Sequence, residues 1–248
     1  MLATGFPAGR GLDLGCGDGL LTRILLRRTG PRDLVGIDSD AAEVEIARSL
    51  GLYQALHVGS AAAVREPDAS FDFVFSNSVL EHVDDINGVL TEVARLLRSG
   101  GTFVFTVPSR DFQSCLRGPV LPGRDRWAYL ERMDRRLYHL RYWGEQDWAQ
   151  LLEPLGLRVE MARPYMSRAY VRRWERISGF TAGVLYLLWH RQAPPIEIQR
   201  RLGMRRSPRT MPVAIARYLA RLLSGGLRPS SGTPYGCLLV RAQKTRNQ

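Results

Sequence analysis

The sequence predicts an α/β fold built on a doubly wound, mostly parallel sheet. Three observations carry this reading. Short apolar strands alternate with helical segments over the first two thirds of the chain, the order that yields parallel strands joined by crossover helices. The first strand runs directly into a glycine-rich turn, Leu12-Asp13-Leu14-Gly15-Cys16-Gly17-Asp18-Gly19, followed by the helix-forming Leu20-Leu21. The second strand, Leu34-Val35-Gly36-Ile37-Asp38, ends on a carboxylate. With 248 residues, 45% of them hydrophobic, the chain is long enough to bury a full α/β core.

Taken in order, each element has a local reason. The three alternating glycines allow positive φ and close approach of a ligand to the backbone, and the helix that follows offers unpaired N–H groups at its start. The spacing is G-x-G-x-G rather than the G-x-G-x-x-G of dinucleotide sites. Asp38, at the end of the second strand, has two acceptor oxygens for the two hydroxyls of a ribose. A third strand is expected over 53–58, leading into Gly59-Ser60-Ala61, and a fourth over 71–77, leading into Ser78-Val79-Leu80-Glu81-His82-Val83. A helix over 86–97 should end at Arg98-Ser99-Gly100-Gly101, before a fifth strand over 102–107. Beyond it, Gly118, Pro119, Pro122 and Gly123 mark a loop. A helix-like stretch covers 127–140, a second helix opens at 142–148, Gly156 ends it, and a strand follows over 157–161.

These motifs together resemble the class I S-adenosylmethionine-dependent methyltransferases, in their type 11 and ubiquinone-pathway O-methyltransferase branch. The stretches that carry the likeness are the glycine turn, Ser76-Asn77-Ser78-Val79-Leu80-Glu81-His82-Val83, and Leu96-Leu97-Arg98-Ser99-Gly100-Gly101-Thr102-Phe103-Val104-Phe105. The likeness covers roughly residues 10–164, with 235–241 as the seventh strand of a Rossmann-like sheet. It implies S-adenosyl-L-methionine as cofactor, held by Asp13, Gly15, Cys16, Gly17, Asp38, Ser39, Ser60, Ala61 and Asn77. Two positions depart from the pattern. Many relatives have an acid at Ser60 to hold the adenine amino group. Ser78 stands where some ubiquinone-pathway relatives have the first glutamate of a metal-binding E-x-x-E-H, with Glu81 and His82 at the other two positions. Losing one of three ligands leaves an incomplete site for a hard cation, so no metal is expected. Relatives usually carry helices before the first strand. A cover for the cofactor is therefore expected either from elsewhere in the chain or from a longer N-terminus.

Substrate groups in this family come from the loops after the fourth and fifth strands and from residues 108–150, which makes His82, His139, Tyr138, Tyr142 and Arg141 the candidates. An oxygen nucleophile gains from a general base, and histidine titrates near neutrality. His82 and His139 are the two candidate bases. The bland alternative for His82 is that it shapes a helix start or touches the adenosine.

Charge divides the chain. Residues 1–110 carry a net −4, residues 111–164 a net +1, and residues 165–248 a net +14, with Glu175 and Glu197 the only acids of that last part. Lys244 is the only lysine, which points to base composition rather than guanidinium chemistry. All five tryptophans follow residue 126. The apolar run 180–189 is too short for a bilayer span, while 211–223 has helical period beside the basic Arg205-Arg206-Ser207-Pro208-Arg209. Two domains are therefore expected. Residues 1–164 with 234–248 bind the cofactor, and 165–233 form a basic, aromatic-rich helical insertion. That insertion is either a packed lid or a peripheral element on an anionic membrane. The three cysteines show no metal spacing, and residues 1–10 lack a signal-peptide core, so a reducing cytoplasm, extending to the inner membrane face, is expected. The acceptor classes that fit are small-molecule, glycan or lipid-linked. An RNA acceptor is the weaker choice because no RNA-binding module is visible, and a non-catalytic partner protein is the third.

Overall fold

The computed structural model describes residues 7–30, 32–119, 123, 125–180, 188 and 234–245. In chain order the elements are β1 (Arg10–Leu14), α1 (Leu20–Thr29), β2 (Asp33–Asp38), α2 (Ala41–Ser49), β3 (Ala55–Val58) and β4 (Phe71–Asn77). A short 3₁₀ turn (Leu80–His82) leads to α3 (Ile86–Leu96) and β5 (Leu97–Pro108). Then come α4 (Phe112–Cys115), α5 (Arg126–Leu137), α6 (Glu145–Leu152), β6 (Leu157–Ser167), α7 (Arg168–Phe180) and β7 (Tyr235–Lys244).

The strands form one seven-stranded sheet in the order β3-β2-β1-β4-β5-β7-β6. The pairs β1–β2, β1–β4, β2–β3 and β4–β5 are all parallel. The doubly wound reading is therefore correct. The chain reverses its direction of growth between β1 and β4, and ligands bind at that switch point, outside the carboxyl ends of the strands.

By compactness the chain divides into two units. One holds the described residues within Met1–Pro108, Trp143–Arg163 and Leu238–Gln248; the other holds those within Ser109–Tyr142 and Pro164–Cys237.

The first unit buries the central strands on both faces, with Phe71, Phe73, Phe75, Phe103 and Phe105 all inside. Phe105 stacks edge-on against Trp148 of α6 at 4.8 Å between centroids. Such near-continuous apolar strands are what a parallel sheet covered by helices requires. Helix starts are capped by side chains: Asp40 accepts from the Ala42 and Glu43 N–H groups, and Asp85 from Gly88. The last strand is tied in by Lys244, whose ammonium donates to the Ala94 and Leu97 carbonyls at 2.6 and 2.8 Å. That pairs a cation with the C-terminal end of α3, where the helix dipole favours it.

The second unit has its own core of Phe112, Cys115, Leu116, Met133 and Val171, with Tyr142, Met166 and Trp174 packed against it. Glu175 is 7% exposed and accepts from the Arg117 and Gly118 N–H groups and from the Tyr129 hydroxyl. One of the two acids in the basic last third is thus an internal tie that holds the loop after α4. Among the described residues no helix is long and apolar enough to cross a membrane. The expected helix over 211–223, the basic loop 205–209 and nearly all of the run 180–189 lie outside the described residues.

Candidate functional site

The sequence-predicted cofactor residues converge in the first unit, at the carboxyl ends of β1 to β4. Gly15, Cys16 and Gly17 follow β1, and Ser39 follows the last residue of β2, Asp38. Ser60 and Ala61 follow β3, and Asn77 ends β4. The glycine turn is built by backbone hydrogen bonds, with the Gly15 and Cys16 N–H groups both donating to the Ile37 carbonyl at 2.9 and 3.0 Å. Gly15 has φ +79°, and a Cβ there would lie 2.4 Å from a Val79 methyl. Glycine is therefore demanded twice, by dihedral and by space, and its absence of side chain lets the turn after β4 settle on the turn after β1. Gly17 has φ +52°, and a Cβ there would meet nothing nearer than Glu43 Oε2 at 3.8 Å. At that position the backbone is bare toward open space.

Asp38 closes the arrangement. Its Oδ2 accepts from the Gly17 N–H at 2.8 Å and its Oδ1 from the Asp40 N–H at 3.0 Å. A carboxylate has about four lone-pair sites, so each oxygen retains one acceptor position after fixing the loop. Asn77 is oriented by the Thr106 hydroxyl, which donates to its Oδ1 at 2.8 Å. The Ser60 hydroxyl accepts from Ala62 N–H at 3.1 Å. Cys16 is buried, with its sulfur facing Gly36, and burial pushes its thiol well above the ordinary range. It is a small packing residue rather than a nucleophile.

Asp13 is 4% exposed, and its Oδ2 accepts from both the Thr22 hydroxyl and the Tyr53 hydroxyl, at 2.5 and 2.6 Å. Sequence reasoning did not find these two partners, since neither belongs to the glycine motif. Burial raises the Asp13 carboxyl to about 6; the two hydroxyls oppose that rise and the charge of Asp38 adds to it. The sign of the pH dependence follows. The native state binds the proton more tightly than the unfolded chain, so the ionised form costs stability as pH rises from about 4 to about 6. The cost is about 3 kcal/mol at neutral pH for a two-unit shift. Asp13→Asn should therefore gain stability relative to the wild type across that window, measured by urea unfolding at pH 4 and pH 7. A difference between the two proteins that is the same at both pH values would contradict the assignment.

His82 sits in the 3₁₀ turn after β4, its side chain 36% exposed and its Nε2 4.0 Å from the buried Glu81 carboxylate. His139 belongs to the second unit. It follows α5, whose C-cap Tyr138 takes the left-handed conformation with φ +57°. The Tyr138 and His139 N–H groups both donate to the Asp134 carbonyl. The chain turns there and brings the Tyr142 hydroxyl onto the Asp134 carboxylate and within 3.1 Å of His139 Nδ1. Nearby, Gln113, Trp127, Leu130, Glu131 and Asp134 line a shallow groove, and Trp127 is 75% exposed.

The residues fit a nucleoside cofactor. The glycine turn leaves backbone open at Gly17, and Asp38 offers two acceptor positions for a ribose. The fold and this glycine–acid clasp define the class I S-adenosylmethionine-dependent methyltransferases. Residues 1–162 match the family model described as a methyltransferase domain, and the chain belongs to that family. It is 31% identical over 173 residues to an uncharacterized methyltransferase of Schizosaccharomyces pombe, covering 66% of each protein. It is 35% identical over 156 residues to the ubiquinone biosynthesis O-methyltransferase of Hahella chejuensis, covering 61% of this chain and 60% of that protein. The matches thus span about half to two thirds of the length of these curated relatives. Among solved structures, an S-adenosylmethionine-dependent methyltransferase from Mesorhizobium loti superposes with a TM-score of 0.55 at 20% identity, over 98% of this chain and 94% of that one. The phosphoethanolamine N-methyltransferase 2 of Haemonchus contortus, solved with S-adenosyl-L-methionine, gives 0.56 at 16% identity, over 98% of this chain and 50% of that one.

Proposed function

We propose that this chain transfers a methyl group from S-adenosyl-L-methionine to an oxygen of a small-molecule, glycan or lipid-linked acceptor. The observation that carries the cofactor half is the Asp38 carboxylate fixed on the Gly17 N–H with acceptor capacity to spare. Asp38 would hold the ribose hydroxyls. Gly15 to Gly17 would line the cofactor's approach to the backbone, with Ser39, Ser60, Ala61 and Asn77 around it. When bound, the cofactor supplies an electrophilic methyl on a positively charged sulfur. The acceptor oxygen would displace that sulfur in line, the new C–O bond forming as the S–C bond breaks, and its proton would pass to a base. The protein's part is alignment at near-attack distance and removal of the proton.

Oxygen rather than nitrogen is favoured by the ubiquinone O-methyltransferase relatives and by the histidines, since a hydroxyl acceptor needs a base more than an amine does. His139 is the base in this reading, with His82 the second candidate. A lipid-linked acceptor at an anionic membrane face is supported by the +14 charge of residues 165–248, which would add electrostatic attraction to anionic lipid. The test is transfer of labelled methyl from the cofactor to three pools: soluble metabolites and glycans, lipid extract in anionic vesicles, and total RNA. Label in an alkali-stable ether within the vesicle pool is the expected result, falling as salt is raised. Label confined to RNA or to amines overturns the proposal.

A further inference from the structure

His139, the proposed base, stands at the end of a hydrogen-bonded chain that no motif announces. Gln113 Nε2 donates to Asp134 Oδ2 at 2.7 Å, and the Tyr142 hydroxyl donates to Asp134 Oδ1 at 2.5 Å. A tyrosine hydroxyl has one proton. Once that proton points at the carboxylate, the same oxygen can only accept from the other side. His139 Nδ1 lies there, 3.1 Å away. The rings are held as well. Phe112, 4% exposed, lies nearly parallel to Tyr142 at 5.7 Å and edge-on to His139 at 5.5 Å, and Trp174 closes on Phe112 at 6.0 Å.

We infer that Tyr142, Asp134 and Gln113 are positioning residues that fix neutral His139 with its proton on Nδ1 and its lone pair on Nε2, the atom that takes the acceptor's proton. The inference rests on the reading of His139 as the base and supplies what that reading lacked, the orientation and tautomer of the ring. Which ring nitrogen carries the proton is set by what the other one bonds to. Here Nδ1 faces the Tyr142 hydroxyl, whose proton is directed at the Asp134 carboxylate. Burial raises the Asp134 carboxyl, while the Tyr142 and Gln113 hydrogen bonds lower it. A protonated Asp134 would donate from Oδ1, turn the Tyr142 hydroxyl around and force the proton of His139 onto Nε2. The base would then present a donor where an acceptor is needed.

The tautomer can be read directly, without acceptor or cofactor. In protein labelled with ¹⁵N-histidine, two-bond proton–nitrogen correlations separate protonated from unprotonated ring nitrogens, and His139→Gln identifies the His139 set among the four histidines of the chain. The wild type at neutral to mildly alkaline pH should show Nδ1 protonated. Tyr142→Phe removes the acceptor and should return the ring to the Nε2–H form that free histidine prefers. Asp134→Asn should do the same by another route. Its carbonyl oxygen accepts from Gln113, its NH₂ donates to Tyr142, and the hydroxyl then donates to Nδ1. Unshifted resonances of the other histidines report that each variant is folded. A wild-type His139 carrying its proton on Nε2, or doubly protonated at mildly alkaline pH, overturns the inference. So do folded variants that leave the pattern unchanged. Because the wild-type spectrum decides the orientation alone, a variant that fails to fold does not remove the test. An Nδ1–H ring in a protein that methylates no oxygen would sink the proposed function and leave the relay standing.

Discussion

Asp38→Ala should weaken cofactor binding severely while the chain remains folded; this is the largest effect on cofactor affinity expected of any single substitution. Each hydrogen bond to a charged group contributes about 1.5–3 kcal/mol. Loss of two acceptor positions therefore weakens binding by roughly 10²- to 10⁴-fold. The carboxylate is half-buried at the end of β2, and its structural contacts are the two backbone N–H groups of Gly17 and Asp40. Removing them loosens the turn without opening the core. Asp38→Asn separates the two roles. Its single carbonyl can still take the Gly17 N–H, so the turn is retained while one ribose acceptor is lost, and an intermediate loss of affinity follows. Titration calorimetry with S-adenosylhomocysteine, alongside thermal melting, measures both. Unchanged affinity in the alanine variant would move ribose recognition away from β2.

Much of this site was legible because its signals are local. The glycine turn, the acid ending β2 and the bounds of β4 all stand at the residues from which they were read, since each follows from a short pattern of backbone need. The misreadings have physical causes. Arg98 to Gly101 looked like the end of a helix followed by a turn, yet these residues belong to β5, which begins at Leu97 directly after α3. A pair of glycines serves equally for a turn or for the irregular pairing seen where the β4–β5 register shifts between Phe71 and Phe73. Strands β6 and β7 run past their expected ends, to Ser167 and Lys244, because polar residues such as the exposed Arg163 and the half-buried Gln243 blur the apolar pattern at sheet margins. Asp13 was read from its place before the glycines, but its partners Thr22 and Tyr53 lie 9 and 40 residues away. The relay behind His139 was hidden more thoroughly. It depends on a left-handed turn at Tyr138, a conformation a tyrosine rarely adopts and no composition signal announces. It also depends on an acid in the last turn of α5, where basic residues are the favoured neighbours of the dipole.

His139→Ala should lower turnover by roughly 10²- to 10⁴-fold, the range a positioned general base supplies, with cofactor affinity unchanged because none of the proposed cofactor residues lies in its part of the chain. His82→Ala should cost less. Its ring is more than a third exposed beside the Glu81 carboxylate, whereas His139 is held by a ring stack and a donor-acceptor chain. The two roles separate by pH. If His139 removes the acceptor's proton, activity of the alanine variant should climb with pH as the hydroxyl ionises without help, narrowing the gap to the wild type. A variant that had merely lost shape would stay slow at every pH. Tyr142→Phe gives the finer reading. It keeps the imidazole and the stack on Phe112 but frees the ring to take the wrong tautomer, so turnover should fall by less than in His139→Ala while the KM for acceptor holds. If instead His139→Ala retains full turnover and His82→Ala loses it, the base belongs to the turn after β4. The Tyr142–Asp134 chain would then order a ring that takes no proton.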